Sequence, residues 1–320
     1  MNTQRRNFIK NSSLATGGLF FSPSFKKITA LFGKAPELAK ALDTITIFHT
    51  NDLHNQIQPR IQGHLNGYGG LKSIREILQQ KDAQAILVDA GDFLDDRASM
   101  LDHKEMIEVM NQVGYNAATI GNKELTKGQA YLAELMKEMN FKLVNCNYSF
   151  SHSYLKANVL PYTIFKWGQY KVGITGVGTD LDAKLKSSEN IIYHHPYERA
   201  NAIAYQLKKQ NQCDLVICLS HLGYRSNQGS FNNSDFAFAS ESIDIIISGH
   251  NQDLIGAPKV LKNKNKEEVI LSHGGWGGLI SRQLSVTFSA GQRHLFQCKS
   301  YVPAINGEEL FYESFKKISA

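Results

Sequence analysis

Short apolar runs alternate with segments of helical periodicity through the first half of this 320-residue chain. Four runs predict strands from their β-branched and small apolar residues: 44–49, 85–88, 117–120 and 142–144. Between these runs, apolar residues recur at helical spacing, as at Leu71, Ile74 and Leu78. Strands that alternate with helices are typical of βαβ units, so the sequence predicts an α/β fold with a largely parallel sheet.

The second half of the chain has a different pattern. Two runs joined across Gly168 predict a hairpin, and residues 198–210 predict a helix. Further strands are predicted at 215–219 and 243–247, followed by antiparallel strands at 269–272, 283–288 and 293–298. The sequence has no internal repeat and no long linker, so we expect residues 41–320 to form one domain with two sheets.

The composition is that of a globular protein, with 42% hydrophobic and 20% charged residues. The formal net charge of +6 comes with no basic stripe interleaved with aromatic residues, which argues against nucleic acid as a partner. A positive field can still attract an anionic substrate. The four cysteines form no CxxC pair, which argues against a zinc–thiolate site, and so few cysteines do not favour disulfides.

The N-terminus predicts export. Residues Arg5-Arg6-Asn7-Phe8-Ile9-Lys10 resemble a twin-arginine signal, and a weakly apolar stretch follows at 14–21. That stretch is too short to span a membrane in the mature protein. We therefore expect residues 1–40 to be a signal peptide and leader with the mature start between Ser22 and Leu42. The expected location is the periplasm, reached by the Tat pathway, without stable membrane insertion after processing.

Side chains that can bind metal ions follow several predicted strands. They are Asp52, His54, Asp92, Asn122, His221, His250 and Gln252. The carboxyl ends of strands in open α/β sheets are where such folds bind ligands. Carboxylate, imidazole and carboxamide groups suit Mn, Zn, Fe or Mg-like ions. Asp92 follows a glycine and is the candidate bridging ligand. Asp52 and His54 lie two apart, as do His250 and Gln252, so an extended backbone would direct each pair the same way.

Each of these segments alone has an ordinary structural explanation, since a polar turn after a strand and a satisfied buried histidine are common. Structural roles are expected for His49, His64 and His103, and for His194 and His195 at the start of a helix. The glycine-rich segment 273–278 either lines the mouth of a site or forms a tight turn between strands.

In their chain order, the polar segments resemble the motifs of calcineurin-like metallophosphoesterases, and most closely those of the N-terminal domain of bacterial 5′-nucleotidases. The matching segments are Asp52-Leu53-His54, Gly91-Asp92, Gly121-Asn122-Lys123-Glu124, Ser220-His221 and Gly249-His250-Asn251-Gln252. Gln252 matches the 5′-nucleotidase branch, and the resemblance covers residues 44–300. It implies a four-layer α/β/β/α sandwich of two mixed sheets flanked by helices, the metallo-dependent phosphatase fold.

The resemblance also implies two divalent metal ions, Zn, Mn, Fe or Mg. One ion would be held by Asp52, His54, Asp92 and Gln252, and the other by Asp92, Asn122, His221 and His250. A hydroxide between the ions would attack phosphorus in a phosphomonoester or nucleotide. Bacterial 5′-nucleotidases also contain a C-terminal nucleotide-binding domain, for which the chain after residue 300 has no room. The resemblance therefore gives the expectation of a separate subunit like that domain.

The sequence departs from the family at the catalytic dyad. Lys123 lies where the family has a histidine, and Thr126 lies where 5′-nucleotidases have an aspartate. In one interpretation Asn122 and Lys123 are catalytic, with Lys123 supplying positive charge; loss of general acid–base assistance then slows the reaction by about 10²–10⁴-fold. In another, the chain binds metal with little turnover. A third is a thiosulfohydrolase-like enzyme on the same scaffold.

Overall fold

The computed structural model of the protein describes residues 43–80, 85–225, 230–289, 292–304 and 307–317. The signal peptide predicted at 1–40, and the region predicted for its cleavage, lie outside the described residues. Within those ranges, no helix combines the length and the apolar character needed to cross a membrane.

The strands form two large sheets and one small one, and helices lie between them in the chain. The strands are β1 (Asp43–Thr50), β2 (Ile86–Asp89), β3 (Ala117–Thr119), β4 (Lys142–Val144), β5 (Tyr148–Ser149), β6 (Tyr162–Trp167), β7 (Tyr170–Gly178), β8 (Ile192–Tyr193), β9 (Leu215–His221), β10 (Ile245–Ser248), β11 (Lys259–Lys262), β12 (Glu268–His273), β13 (Ser281–Ser289), β14 (Gln292–Ala304) and β15 (Gly307–Lys317). The helices are α1 (Leu71–Gln80), α2 (Met100–Val113), α3 (Gln129–Met136), α4 (Ser153–Asn158), α5 (Ala183–Glu189), α6 (Pro196–Tyr205) and α7 (Asn233–Ala239). Short 3-10 helices lie at Gly63–Leu65, Lys123–Leu125 and Trp276–Gly278, and α6 continues into a π turn at Gln206–Gln210.

The first sheet has the order β15-β14-β13-β1-β2-β3-β4. Strands β1 to β4 are parallel, as the alternation of strands and helices predicts, while β13 to β15 add an antiparallel half. The two halves meet where β1 pairs with β13, for example at Ile47 opposite Leu284. The sheet is therefore mixed.

The second sheet has the order β11-β12-β10-β9-β7-β6, with a parallel centre and an antiparallel strand at each edge. The prediction for residues 269–272 was wrong in part. Strand β12 is antiparallel to β11 but parallel to its other neighbour, β10. Between β10 and β12 the chain forms the edge strand β11, which runs opposite to both. Strand β12 can therefore run in the same direction as β10.

Three apolar clusters separate four layers. The first lies between the first sheet and helices α1 to α3, the second between the two sheets, and the third between the second sheet and helices α6 and α7. Strand β9 shows the alternation that produces this arrangement. Leu215 and Ile217 lie in the cluster between the sheets, while Val216 and Cys218 lie in the cluster under the helices. The predicted α/β/β/α order follows from these clusters.

The carboxyl ends of five strands lie at one edge of the sandwich. The loops that leave them are named here by their strands: the β1 loop (51–70), the β2 loop (90–99), the β3 loop (120–128), the β9 loop (222–232) and the β10 loop (249–258). The β2 loop ends at a capping box, where Ser99 accepts from Asp102 N at 3.2 Å and the Asp102 carboxylate accepts from Ser99 N at 2.8 Å. This cap fixes the point at which α2 begins.

Candidate metal centre

Two groups of potential metal ligands meet between the sheets and share one residue. Asp52, His54 and Asp92 form one group, and Asp92, His221 and His250 form the other; within each group the ligand atoms lie within 4.8 Å of one another. Asp52 and His221 are fully buried. Since Asp92 belongs to both groups, the geometry fits two neighbouring cations with one carboxylate between them.

Glycines let the two sheets approach closely at this point. A Cβ added at Gly249 would lie 2.5 Å from the Ala90 carbonyl oxygen and 2.7 Å from His221 Nδ1. A Cβ at Gly91 would lie 2.9 Å from both Gly121 N and His221 Nδ1. A side chain at either position would push the β2, β3 and β10 loops apart, and the ligand groups with them.

Four of the candidate ligands have left-handed backbones. The φ angles are 51° at Asp52, 46° at His54, 54° at Asp92 and 81° at His250. Non-glycine residues in this region cost about 1–3 kcal/mol each and persist only where the surroundings hold them. The prediction of an extended backbone that directs Asp52 with His54, and His250 with Gln252, was therefore wrong at Asp52, His54 and His250.

Backbone hydrogen bonds between loops explain these conformations. Asp52 N donates to the Gly91 carbonyl and His54 N to the Asp92 carbonyl, both at 3.0 Å. The amide of His250 donates to both carboxylate oxygens of Asp52 at 3.0 Å. These bonds join the β1, β2 and β10 loops. The side chains are thus brought together by turns held from the neighbouring loops.

His221 has the orientation expected of a metal-binding histidine. Its Nδ1 lies 2.7 Å from the Ala90 carbonyl, so Nδ1 donates and Nε2 faces the carboxylates, 3.2 Å from Asp92 Oδ2 and 4.0 Å from Asp52 Oδ1. A backbone carbonyl that accepts from the other ring nitrogen fixes the tautomer of the histidine in metal sites. Burial lowers the pKa of His221, but the Asp92 carboxylate more than reverses this and raises it to about 10. A proton on Nε2 therefore occupies the position that a cation would take.

Asn122 and Gln252 are the two carboxamides of the predicted set. Asn122 precedes the 3-10 helix in the β3 loop, and among the described residues its buried Oδ1 has no hydrogen-bond partner. A buried oxygen without a partner is costly, and a metal ion would satisfy it. Gln252 lies two residues after His250 with an exposed side chain. Its assignment as a ligand stays a prediction.

Burial shifts the pKa values of the other candidate ligands, and of Asp89 beside them, toward their neutral forms. Burial raises the pKa of Asp52 to about 7 and that of the neighbouring Asp89 to about 7. It lowers the pKa of His54, and lowers that of His250 to about 4, so both imidazoles are neutral at pH 7. Neutral imidazoles are the form that binds metal, and a cation would offset the cost of burying the carboxylates.

Glu124 was not predicted to have a role, yet it connects the β2 and β3 loops. The buried carboxylate accepts hydrogen bonds from Asp92 N at 3.1 Å, Leu94 N at 3.0 Å and Gly121 N at 2.8 Å. Burial, and then the charge of Asp92, raise its pKa to about 8. Its place two residues after Asn122 was the available signal, because the family motif has an acidic residue there.

Lys123 and Thr126, the residues predicted at the positions of the family's dyad, do not form a pair. The Thr126 hydroxyl donates to the Lys123 carbonyl at 2.9 Å, and its side chain is exposed. The Lys123 ammonium instead donates to Asp96 Oδ2 in the β2 loop at 2.7 Å. Lys123 N donates to Asp92 Oδ1 at 2.8 Å, so its backbone is held at the metal centre. The sequence analysis did not identify Asp96.

Several of the other histidines have structural partners. His49 Nε2 contacts Ser272 Oγ at 2.8 Å, and His103 lies between the Tyr131 hydroxyl and the Asp95 carbonyl. His195 precedes α6 as its N-cap, as predicted.

The segment 273–278 forms a tight turn that also supports the site. Gly275 bridges to Ile280, a 3-10 turn follows, and Gly277 N donates to the Asp52 carbonyl at 2.6 Å. The Arg60 guanidinium lies 4.3 Å from the centre of the Trp276 ring. The turn thus holds the β1 loop in place at Asp52.

A cavity of about 250 Å³ opens beside His250. Its other lining residues include Thr179, Leu222, Arg225, Phe231 and Asn251. Arg225 gives this cavity a positive charge, and the residues around it offer both apolar and hydrogen-bonding surface. The cavity therefore lies next to His250, a member of one of the two ligand groups.

Comparison with known proteins agrees with this geometry. The sequence model of calcineurin-like phosphoesterases matches residues 45–253. Protein UshA of Salmonella pullorum is 28% identical over 240 residues, covering 70% of this chain and 42% of that protein. The 5′-nucleotidase of Vibrio cholerae is 26% identical over 239 residues, covering 69% of this chain and 43% of that protein. The chain spans about two fifths of the length of these relatives.

The fold is also similar to that of solved structures. The 5′-nucleotidase precursor of Thermus thermophilus superposes with a TM-score of 0.66 at 23% identity, over 86% of this chain and 54% of that chain. The shared arrangement includes the two mixed sheets flanked by helices, which confirms the predicted fold class.

Proposed function

The chain belongs to the calcineurin-like phosphoesterase family, and from this premise we propose that it is a metal-dependent phosphoester hydrolase similar to 5′-nucleotidases, with residues 41–320 as its catalytic domain. The observation that supports this most strongly is that two ligand groups share Asp92. Two metal ions that share one carboxylate are typical of enzymes that hydrolyse phosphoesters.

The proposed ligands divide into two sets. One cation would bind Asp52, His54, Asp92 and Gln252, and the other Asp92, Asn122, His221 and His250. Divalent cations bound there would polarise the phosphoryl group of a substrate and acidify water for attack on phosphorus. The Ala90 carbonyl would hold the His221 ring with Nε2 toward the centre, and Glu124 would hold the β2 and β3 loops at a fixed separation.

Lys123 would replace the family's catalytic histidine, next to Asn122. Its ammonium would supply positive charge to the phosphoryl oxygens as the reaction proceeds. Thr126 would take no direct part, because its hydroxyl is bonded to the Lys123 carbonyl.

The proposed substrates are phosphomonoesters, including nucleotides, since relatives named 5′-nucleotidase share the matched region. The cavity beside His250 supports this choice because a guanidinium and an aromatic ring both line it. The twin-arginine-like segment at Arg5–Lys10 supports export to the periplasm, which fractionation of cells producing the full chain would test.

The test of the function is a metal analysis of the purified protein beside phosphatase assays. We expect about two divalent ions per chain, and hydrolysis of p-nitrophenyl phosphate and AMP with added Mn or Zn. The variant His64→Asn changes an exposed histidine outside the centre and should behave like the wild type. Two bound ions without turnover of either substrate would instead support the metal-binding protein with little turnover.

The missing dyad can be restored to separate a slow phosphatase from a different hydrolase. If its absence limits the rate, the double change Lys123→His with Thr126→Asp should raise the kcat for AMP, by up to about 10²-fold. An unchanged or lower kcat would show that the centre is built for other chemistry, such as thiosulfohydrolase-like hydrolysis.

A further inference from the structure

The ammonium of Lys123 has an acidic partner that lies in a different loop. Asp96 belongs to the β2 loop, four residues after Asp92, and its Oδ2 lies 2.7 Å from Lys123 Nζ. The side chains are 27% exposed at Lys123 and 36% exposed at Asp96, so both are partly shielded from water. The other oxygen of Asp96, Oδ1, lies 4.0 Å from the mostly exposed Arg97.

The backbone on either side of Asp96 is held in place. The amide of Asp95 donates to Asn55 Oδ1 at 3.0 Å, and its carbonyl accepts from His103 Nε2 at 2.7 Å. Lys127 donates to the Ala98 carbonyl on the other side. The carboxylate of Asp96 therefore extends from a backbone segment that hydrogen bonds hold on both sides.

The backbone of Lys123 is held beside the carboxylate that the two ligand groups share, because Lys123 N donates to Asp92 Oδ1 at 2.8 Å. An ammonium has three N–H donors, and the bond to Asp96 uses one of them. Two donors remain for phosphoryl oxygens or for the oxygen of the leaving group.

We propose that Asp96 is a positioning residue that holds the Lys123 ammonium at the edge of the metal centre, where it contacts the phosphoryl group of the substrate. The inference rests on the proposed function. The pair joins the Lys123 ammonium of the β3 loop to the Asp96 carboxylate of the β2 loop. Asp96 therefore orders the ammonium, which Thr126 does not contact because its hydroxyl bonds to the Lys123 carbonyl. Holding the long lysine side chain before the substrate binds removes the entropy loss that a free lysine would suffer on binding.

The test is a double-mutant cycle on the metal-loaded protein. Asp96→Asn and Lys123→Met should each lower the kcat for p-nitrophenyl phosphate by about tenfold and raise KM about five- to tenfold, with bound metal unchanged. In the Lys123→Met background, Asp96→Asn should have no further effect, because the group that it positions is gone. Asp96→Glu, which keeps the charge, should recover part of the loss.

Two further measurements separate positioning from a merely structural role. Calorimetric titration with inorganic phosphate should give a Kd about five- to tenfold higher in Asp96→Asn and Lys123→Met than in the wild type. Glu138→Gln removes a different partly exposed ion pair, with Lys104 at 3.0 Å, and should change neither kcat nor Kd.

The outcomes distinguish the inference from the function on which it rests. A wild type that turns over substrate, with Asp96→Asn unchanged in kcat and phosphate affinity, overturns the role of Asp96 and leaves the function standing. Additive losses in the double variant also overturn it, since the two side chains would then act separately. A wild type without metal or turnover overturns the function and the inference together.

Discussion

Among single residues, Asp92 is the residue that the two candidate ligand groups share. His54 belongs to only one of them. The two residues therefore make a matched pair for counting ions, since both lie at left-handed backbone positions in neighbouring loops.

Asp92→Asn should lose both metal ions and about 10³-fold or more in kcat, whereas His54→Asn should retain about one ion per chain. Elemental analysis of the two purified variants measures this directly, with circular dichroism to show that both are folded. Two ions retained in Asp92→Asn would exclude a bridging role for that carboxylate.

His273, which is not one of the candidate metal ligands, gives a pH dependence of folding stability. Burial, and then the charge of Arg282, lower its pKa to about 4. The unfolded chain takes up this proton near pH 6.5 and the folded protein near pH 4, so folding stability falls as the pH falls through that window. The loss should reach about 3 kcal/mol for this one group. His49, whose pKa burial also lowers, acts in the same direction.

Urea unfolding between pH 7 and pH 5 measures this loss in the free energy of unfolding. The variant His273→Gln cannot take up the proton, so its stability should fall less steeply with decreasing pH than that of the wild type. Equal slopes for the two proteins would assign the acid sensitivity to other groups.

At the scale of strands and loops, the sequence predicted the features that depend on the local pattern of apolar and polar residues. The strands that begin at Asp43 and Ile86, and the polar residues after them, follow from apolar runs and their ends. The sequence could not predict the left-handed backbone at Asp52 or the contact of Lys123 with Asp96, because both depend on loops brought together by the fold. The family and the two-sheet fold were predicted through motif order and are confirmed.

Some elements also escaped prediction for a physical reason. The edge strand β11 has only the sequence Lys-Val-Leu-Lys, too short for a periodic signal. The small sheet of β5 and β8 has two residues in each strand and is defined by its long-range pairing alone.

The β2 and β3 loops depend on each other through Glu124. Glu124→Gln replaces one accepting oxygen by a donor, so at least one of three buried backbone amides loses its partner. The free energy of unfolding should fall by about 2 kcal/mol, and metal affinity about 10- to 100-fold, because the ligands on both loops shift. Glu134→Gln, at an exposed ion pair with Lys137, is the control and should change stability by less than about 0.5 kcal/mol. Unchanged metal affinity in Glu124→Gln would mean that the loops hold their positions without it.

For the whole molecule, the important fact is that the candidate ligands come from both sheets. Asp52 and Asp92 follow strands of the first sheet, while His221 and His250 belong to or follow strands of the second. Bound ions would therefore join the two sheets at one edge. The apolar cluster between the sheets joins them along the rest of their length.

Removal of metal should lower the thermal stability of the whole protein. An ion present at 100 times its Kd stabilises the folded state by about 2.7 kcal/mol, and a protein of this size loses about 2–4 °C in Tm per kcal/mol. EDTA should thus lower the Tm by about 5–10 °C, and Zn or Mn should restore it. The Tm of Asp92→Asn should not respond to EDTA. A wild-type Tm unaffected by complete removal of metal would show that the ions do not stabilise the fold.

The left-handed torsions at Asp52, His54, Asp92 and His250 bear on whether this centre is a relic. Glycine adopts such torsions without steric cost. If these side chains had no chemical role, glycine at these positions would make the folded chain more stable. This chain has two acids and two imidazoles at the four positions instead. The metal-free molecule is therefore less stable than its own backbone allows. Replacing His54 with glycine should raise the stability of the metal-free protein while lowering its metal content.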